Sequence, residues 1–297
     1  MKVSHFLLAL CVIFLWGMNF SFMKMGLSQM DPFILTALRF LFAAVPAVFF
    51  IKRPQVSFSI IALYGLVFGV GLWGMMTLAI NAGVSAGMAS LLLQSSAFIS
   101  VIIGVIFFKE VVGVIKLIGL FIAISGLVLS MTITDGSITI LGCIFVIIAA
   151  SAMSASLLIV KWAQVKEMFS FIVWSCLFAP IPLLLLSWVT FGTQGFINFA
   201  GNVGPVGWFS ILIQAYPVTL FGYWIWNRLV VIYPMSTMAP LTLLIPIFGF
   251  IGSMYFYNEA FEGQKAVACI LIIIGISINV MEPRLKKYLK DMMNANS

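Results

Sequence analysis

The sequence predicts an all-α membrane protein of about ten transmembrane helices, arranged as two inverted five-helix repeats. Three observations carry that expectation: an apolar content too high for water, apolar runs of spanning length along the whole chain, and a short pattern that recurs half a chain later. Hydrophobic residues fill 63% of the 297 positions and charged ones 8%, with mean hydropathy +1.21. That leaves too little polar surface to coat a soluble globule. A helix needs roughly 20 residues to cross a hydrocarbon core about 30 Å thick, so there is room for about ten spans with short loops and no soluble domain.

Breaks at charges, Pro, Gly and Asn delimit the spans in order. The first, 6–25, lacks a small-x-small cleavage site and carries Trp16, Asn19 and Lys24, so it reads as a retained span rather than a signal peptide. The second, 32–51, contains Arg39; the third, 59–80, contains Trp73; the fourth, 85–108, begins within a run of small residues and carries Gln94, Ser95 and Ser96; the fifth is 113–131. The plan then repeats with 139–161, 169–190, 205–230, 235–257 and 264–282, followed by a polar tail. Residues 1–132 form the first repeat, 133–283 the second, and 284–297 a basic cytoplasmic tail.

Both termini are expected in the cytoplasm. That placement puts every Lys and Arg on the cytoplasmic side except Lys24, Lys265 and the intraspan Arg39, in keeping with the positive-inside bias. Phe107-Phe108-Lys109-Glu110, then Lys116 and Gly126, recur 149 positions later as Phe256-Tyr257-Asn258-Glu259, Lys265 and Gly275. Five spans separate the copies, an odd number, so the halves lie in opposite orientations, the arrangement of alternating-access transport.

Other function classes lack their parts. The formal charge of +7 is scattered between apolar runs without a binding stripe, so no nucleic acid is expected. Cys11, Cys143, Cys176 and Cys269 lie in apolar runs without a C-x-x-C spacing, and His5 is the single histidine. With no HExxH, Walker loop or midmembrane carboxylate pair, no catalytic residue, metal site or cofactor is expected, and the chain reads as a non-enzyme.

Buried polar and aromatic residues are what remain. Arg39 is ionisable within a span, where it either meets an anionic solute group or satisfies carbonyls and loop oxygens, the latter reading being slightly favoured. Glu110 and Glu259 sit at helix ends, where pairing with nearby Lys favours structure over proton coupling; with Arg39 they form a set of gating or structural charges. Trp16, Asn19, Gln94 and Ser95 lie at depths suited to a solute site, although helix-to-helix hydrogen bonding is an equal alternative for each polar group. Trp73, Tyr223 and Trp224 could wall a site for an amine-bearing solute, or serve as ordinary interfacial aromatics. Pro217, Pro240 and Pro246 interrupt backbone bonding beside any cavity.

Taken together, Trp16-Gly17-Met18-Asn19-Phe20, Leu38-Arg39-Phe40, Ala79-Ile80-Asn81-Ala82-Gly83 and Ala86-Gly87-Met88-Ala89-Ser90-Leu91 resemble the EamA-type branch of the drug/metabolite transporter superfamily. Gly222-Tyr223-Trp224-Ile225-Trp226, Ala239-Pro240-Leu241 and Glu259 with Gly263-Gln264 extend the likeness over essentially the whole chain, nearest in pattern to the cysteine and O-acetylserine exporters. The resemblance implies a ten-helix inverted-repeat carrier of the bacterial inner membrane, with spans 1, 3, 4, 6, 8 and 9 around a cavity and spans 5 and 10 peripheral. It implies export of amino acids or related small polar metabolites. A channel-like facilitator, or a carrier for a nucleoside, drug or other amine, is the alternative. The sixth span departs from the pattern, reading Ala150-Ser151-Ala152-Met153-Ser154 where relatives commonly carry a Trp. The expected partners are a small-molecule solute and the lipid bilayer, and a homodimer is left open.

Overall fold

The computed structural model describes residues 1–109, 113–133, 135–233, 235–261 and 263–295, and these are helical with short connections and no strand. Ten helical stretches follow one another: α1 Val3–Leu27, α2 Pro32–Val48, α3 Phe58–Asn81, α4 at 86–108, α5 Val114–Met131, α6 Ile140–Trp162, α7 Met168–Asn202, α8 at 205–232, α9 at 235–257 and α10 Gly263–Ala295. Among the described residues six helices are long and apolar enough to cross a membrane, and three shorter apolar ones lie in α2, α5 and α10. Two bounds differ from expectation. α7 runs to Asn202, bending at Gly192 (φ 64°) instead of stopping near residue 190, and α10 stays helical through the polar tail, which is rich in helix-forming Leu, Lys and Met.

Local signals explain the helix starts. Asp31 accepts hydrogen bonds from the backbone N–H groups of Phe33 and Ile34, both at 2.9 Å, with Pro32 in the first turn. That satisfies donors a helix N-terminus leaves open. Ser85 and Thr139 cap α4 and α6 in the same way, and Gln29 accepts from Gly204 N and Gly207 N to cap α8 from outside. α3 and α8 each contain a π-helical segment, Leu66–Gly74 and Gln214–Phe221, starting 148 positions apart. α9 is two pieces joined at residues 243–244, between Pro240 and Pro246.

α1 packs along α8 and α9, and α6 packs correspondingly along α3 and α4; α2 meets α7, and α4 meets α9. α5 and α10 pack chiefly on each other. There a Cβ on Gly126 would meet Ala268 O at 2.8 Å and Leu271 Cβ at 2.8 Å, while one on Gly275 would meet Gly119 O and Ala123 Cβ, both at 2.5 Å. The two helices therefore run antiparallel, with glycine at each close approach. Similar contact joins α1 to α9, where Gly17 faces the Ile245–Gly249 backbone and Gly249 faces Ser90. With lipid as apolar as the core, such small-residue contacts supply the packing that the hydrophobic effect would otherwise drive.

Candidate functional site

Arg39 is the eighth residue of α2, roughly 10 Å along it at 1.5 Å per residue, and only 1% exposed. Its partners are side chains of α8, not the carbonyls or loop oxygens favoured above. Nη1 donates to Gln214 Oε1 at 3.4 Å, and Nε and Nη2 donate to Thr219 Oγ1 at 3.4 and 3.2 Å. The guanidinium also lies 4.3 Å from the Trp73 ring centre. Gln214 and Thr219 belong to the π segment of α8 and Trp73 to that of α3, so Arg39 bridges the two. Gln214 is held by Ser210, to whose carbonyl and hydroxyl its amide donates at 3.0 Å, leaving its oxygen for Arg39. The Thr219 hydroxyl donates to Gln214 O at 2.8 Å, which turns its lone pairs the same way. Among the described residues no carboxylate pairs with Arg39.

An aromatic cluster adjoins this point. Trp16 stands 5.2 Å from both Tyr223 and Trp226, Tyr223 stands 5.9 Å from Phe68, and Phe68 stands 6.3 Å from Trp73. Trp16 donates its indole N–H to Val218 O at 3.1 Å, a carbonyl within the π segment of α8. The indole N–H of Trp73 is buried without an acceptor. The structure thus brings Trp16, Trp73 and Tyr223 together, but not Trp224. Neighbouring helical residues diverge by about 100°, so Trp224 points away from the cluster, partly exposed beneath Arg228 at 4.4 Å. Asn19 is fully buried, its amide against Met23 Sδ at 3.4 Å and its oxygen without a partner. Gln94 and Ser95 lie in a 3₁₀ turn of α4, Gln94 partly exposed and Ser95 buried. In the stretch of α6 that departs from the resemblance, small residues permit close contact: Ala152 faces Gly71, and Ser154 donates to Ser96 O at 2.8 Å.

Two cavities open at opposite ends of α2. One, of about 760 Å³, is lined by His5, Lys52, Glu167, Trp224, Asn227 and Arg228. The other, of about 590 Å³, is lined by polar groups of Gln29, Asp31, Gln194, Asn198 and Asn202. Arg39 lies in the sequence interval of α2 between them, and the aromatic cluster on α1, α3 and α8 adjoins it through Trp73.

Glu259 belongs elsewhere. It accepts from Ser85 Oγ at 2.6 Å, from Ser253 Oγ, and from Lys265 Nζ at 2.9 Å, while Lys265 also reaches Asp135 at 2.8 Å. Lys265 is 2% exposed within these pairs. Burial raises the Asp135 carboxyl, but hydrogen bonds from Lys265 and Ser137 outweigh it and hold the group at about 2. Glu110 lies outside the described residues. Sequence reasoning missed Thr219 and Asp135. The recurring Glu-to-Lys spacing pointed towards Lys265, but Thr219 is visible only through the i to i+5 geometry around Pro217.

Comparison with known proteins gives a consistent picture. The profile of the EamA-like transporter family matches residues 4–132 and 140–281. A probable amino-acid metabolite efflux pump of Escherichia coli K12 is 31% identical over 289 residues, covering 95% of this chain and 97% of that protein. The protein of the same description in Salmonella typhimurium LT2 is 32% identical, covering 94% and 96%. An uncharacterized transporter of Archaeoglobus fulgidus is 27% identical over 92% of this chain and 96% of its own. One crystal structure superposes with TM-score 0.55 at 16% identity, covering 94% of this chain and 96% of that one, which shows a shared fold.

Proposed function

Because this chain belongs to the EamA-like transporter family, we propose that it exports amino acids or related small polar metabolites across the bacterial inner membrane by alternating access. It is a multi-pass membrane transporter and not an enzyme. The names of the relatives from Escherichia coli and Salmonella typhimurium support the solute class and the outward direction.

The observation that carries the reading is Arg39 bridging the two π-helical segments. π segments are rare and recur at functional sites because an i to i+5 turn frees backbone groups and re-aims side chains. Here they meet at a buried charge walled by aromatic rings, the kind of place a solute site in a membrane carrier uses.

In this proposal residues 1–132 and 133–283 are inverted repeats that rock about that point, with both termini and the 284–297 tail in the cytoplasm. The pairing of α1 with α8 and α9 beside that of α6 with α3 and α4 supports it. So do Gly126 and Gly275, 149 positions apart, each contacting the counterpart of the other's neighbours. Lys109 and Asn258, also 149 apart, share the same left-handed φ of 51°. Within the site, Trp16, Trp73 and Tyr223 form the aromatic wall, Gln94, Ser95 and Asn19 supply polar groups, and the Glu259–Lys265–Asp135 pairs hold one end shut. Among the described residues no carboxylate pairs with Arg39 to carry protons, so exchange down the metabolite gradient is the coupling proposed.

The test is counterflow in liposomes preloaded with unlabelled cysteine or O-acetylserine, following entry of the labelled solute with and without a pH gradient. Accelerated entry that is insensitive to pH is expected. Entry without acceleration by internal solute would indicate a channel, and no entry with folded protein would reject this solute class.

A further inference from the structure

Charge balance around Arg39 is incomplete. A guanidinium has five N–H donors, and here three of them meet two neutral acceptors at 3.2 to 3.4 Å. Charge-assisted bonds close to about 2.7 to 2.9 Å when the acceptor is anionic and free to approach. Against the same guanidinium lies the Trp73 ring, whose buried N–H has no acceptor at all. The unmet groups against the guanidinium itself, its remaining N–H bonds and the Trp73 indole N–H, are therefore donors around one positive charge, with Phe40 and Phe68 as apolar walls.

We infer that Arg39 and the indole N–H of Trp73 form a subsite for the carboxylate of the transported solute. This rests on the transport reading above and names the chemistry recognised. A carboxylate is planar, carries one charge and offers two acceptor oxygens, which match the guanidinium fork and leave a lone pair for the indole. A phosphate dianion would call for a second cation, and none is paired into this site among the described residues. Thr219 and Gln214 hold the guanidinium when the site is empty and yield to the stronger acceptor on binding. Among the mostly apolar residues lining the larger cavity, Lys52 and Arg228 outnumber the one acid, Glu167, a balance that favours anions at that mouth. The π segments give the inference its mechanical sense, because a register change in either one moves a partner of Arg39.

The experiment compares acids with their carboxamides on the purified full-length protein. Thermal stabilisation in detergent is measured with O-acetylserine, cysteine and the carboxamide of each, and counterflow is measured in liposomes with the same four compounds. The acids are expected to stabilise the protein and compete for counterflow at least about tenfold more effectively than the amides, since a site built for a hydrogen-bonding group strongly rejects the analogue that lacks it. Arg39→Gln should abolish that preference. Arg39→Lys, which keeps the charge but not the fork, should recover part of it. Trp73→Phe should weaken the acids several-fold and leave the amides unchanged, which covers the case of an Arg39 variant that does not fold. Counterflow that accepts acids and amides equally overturns the subsite while leaving the transport reading intact. If none of the four compounds is exchanged, the transport reading fails for that solute class, and stabilisation by acetate, lactate and succinate then decides the subsite; no stabilisation by any of them overturns it.

Discussion

Arg39 and Lys265 are buried to nearly the same degree, 1% and 2% exposed, yet their surroundings are opposite. Lys265 lies between two carboxylates, Glu259 and Asp135, at 2.9 and 2.8 Å, and also donates to Ala260 O. Arg39 has a threonine hydroxyl, a glutamine oxygen and the face of an indole. The first cation is neutralised within the protein and ties the start of α4, the loop before α6 and the start of α10 together. The second keeps its charge available at the junction of α2, α3 and α8. Removing one member of a buried ion pair is strongly destabilising because it leaves the other charge uncompensated, whereas a buried charge held only by neutral groups strands no opposite charge when it is removed.

Four substitutions test this contrast. The largest effect is expected for Lys265→Met, which strands Glu259 as a buried carboxylate; thermal unfolding in detergent should show a loss of about 3 to 5 kcal/mol. A loss under about 1 kcal/mol would mean that the network is not closed as described. Glu259→Gln keeps acceptors for Ser85 and Ser253 but removes the charge, and should cost about 1 to 3 kcal/mol in the same assay.

Arg39→Gln leaves no carboxylate behind, so its stability cost should be smaller, about 1 to 2 kcal/mol, while carboxylate counterflow falls severely. Equal destabilisation by the Lys265 and Arg39 variants would remove the contrast. Asp135→Asn should have the smallest effect, below about 1 kcal/mol, because the Asp135 side chain is 42% exposed and solvent screens its pair. Its folded carboxyl is depressed from 3.8 to about 2, so its contribution is present above about pH 4 and fades as pH falls towards 2. A stability profile over that interval should slope in the wild type more than in Asp135→Asn.

Much of this was legible beforehand. The helices begin and end within a few residues of the expected spans, apart from α7, where Gly192 bends the helix beyond residue 190 without ending it, and α10, which stays helical past residue 282 to Ala295. Trp16, Arg39, Trp73 and Tyr223 stood out as residue types that a membrane interior does not accept casually. Tyr223 and Trp224 were indistinguishable in sequence, and the turn of α8 put one in the cluster and the other beside Arg228.

The amino-acid sequence alone determined which segments leave water, their order and their family, because transfer to hydrocarbon depends on composition over a span. Tertiary structure decided which side of each span faces inward, where the backbone widens into π turns, and which cation receives carboxylates. In α1 and α6 apolar residues surround the helix, since lipid and core are equally apolar, and no amphipathic stripe marks the buried face. Only packing, through Gly17 on Gly249 and Gly126 on Ala268, sets the rotation of each helix and so what Arg39 meets.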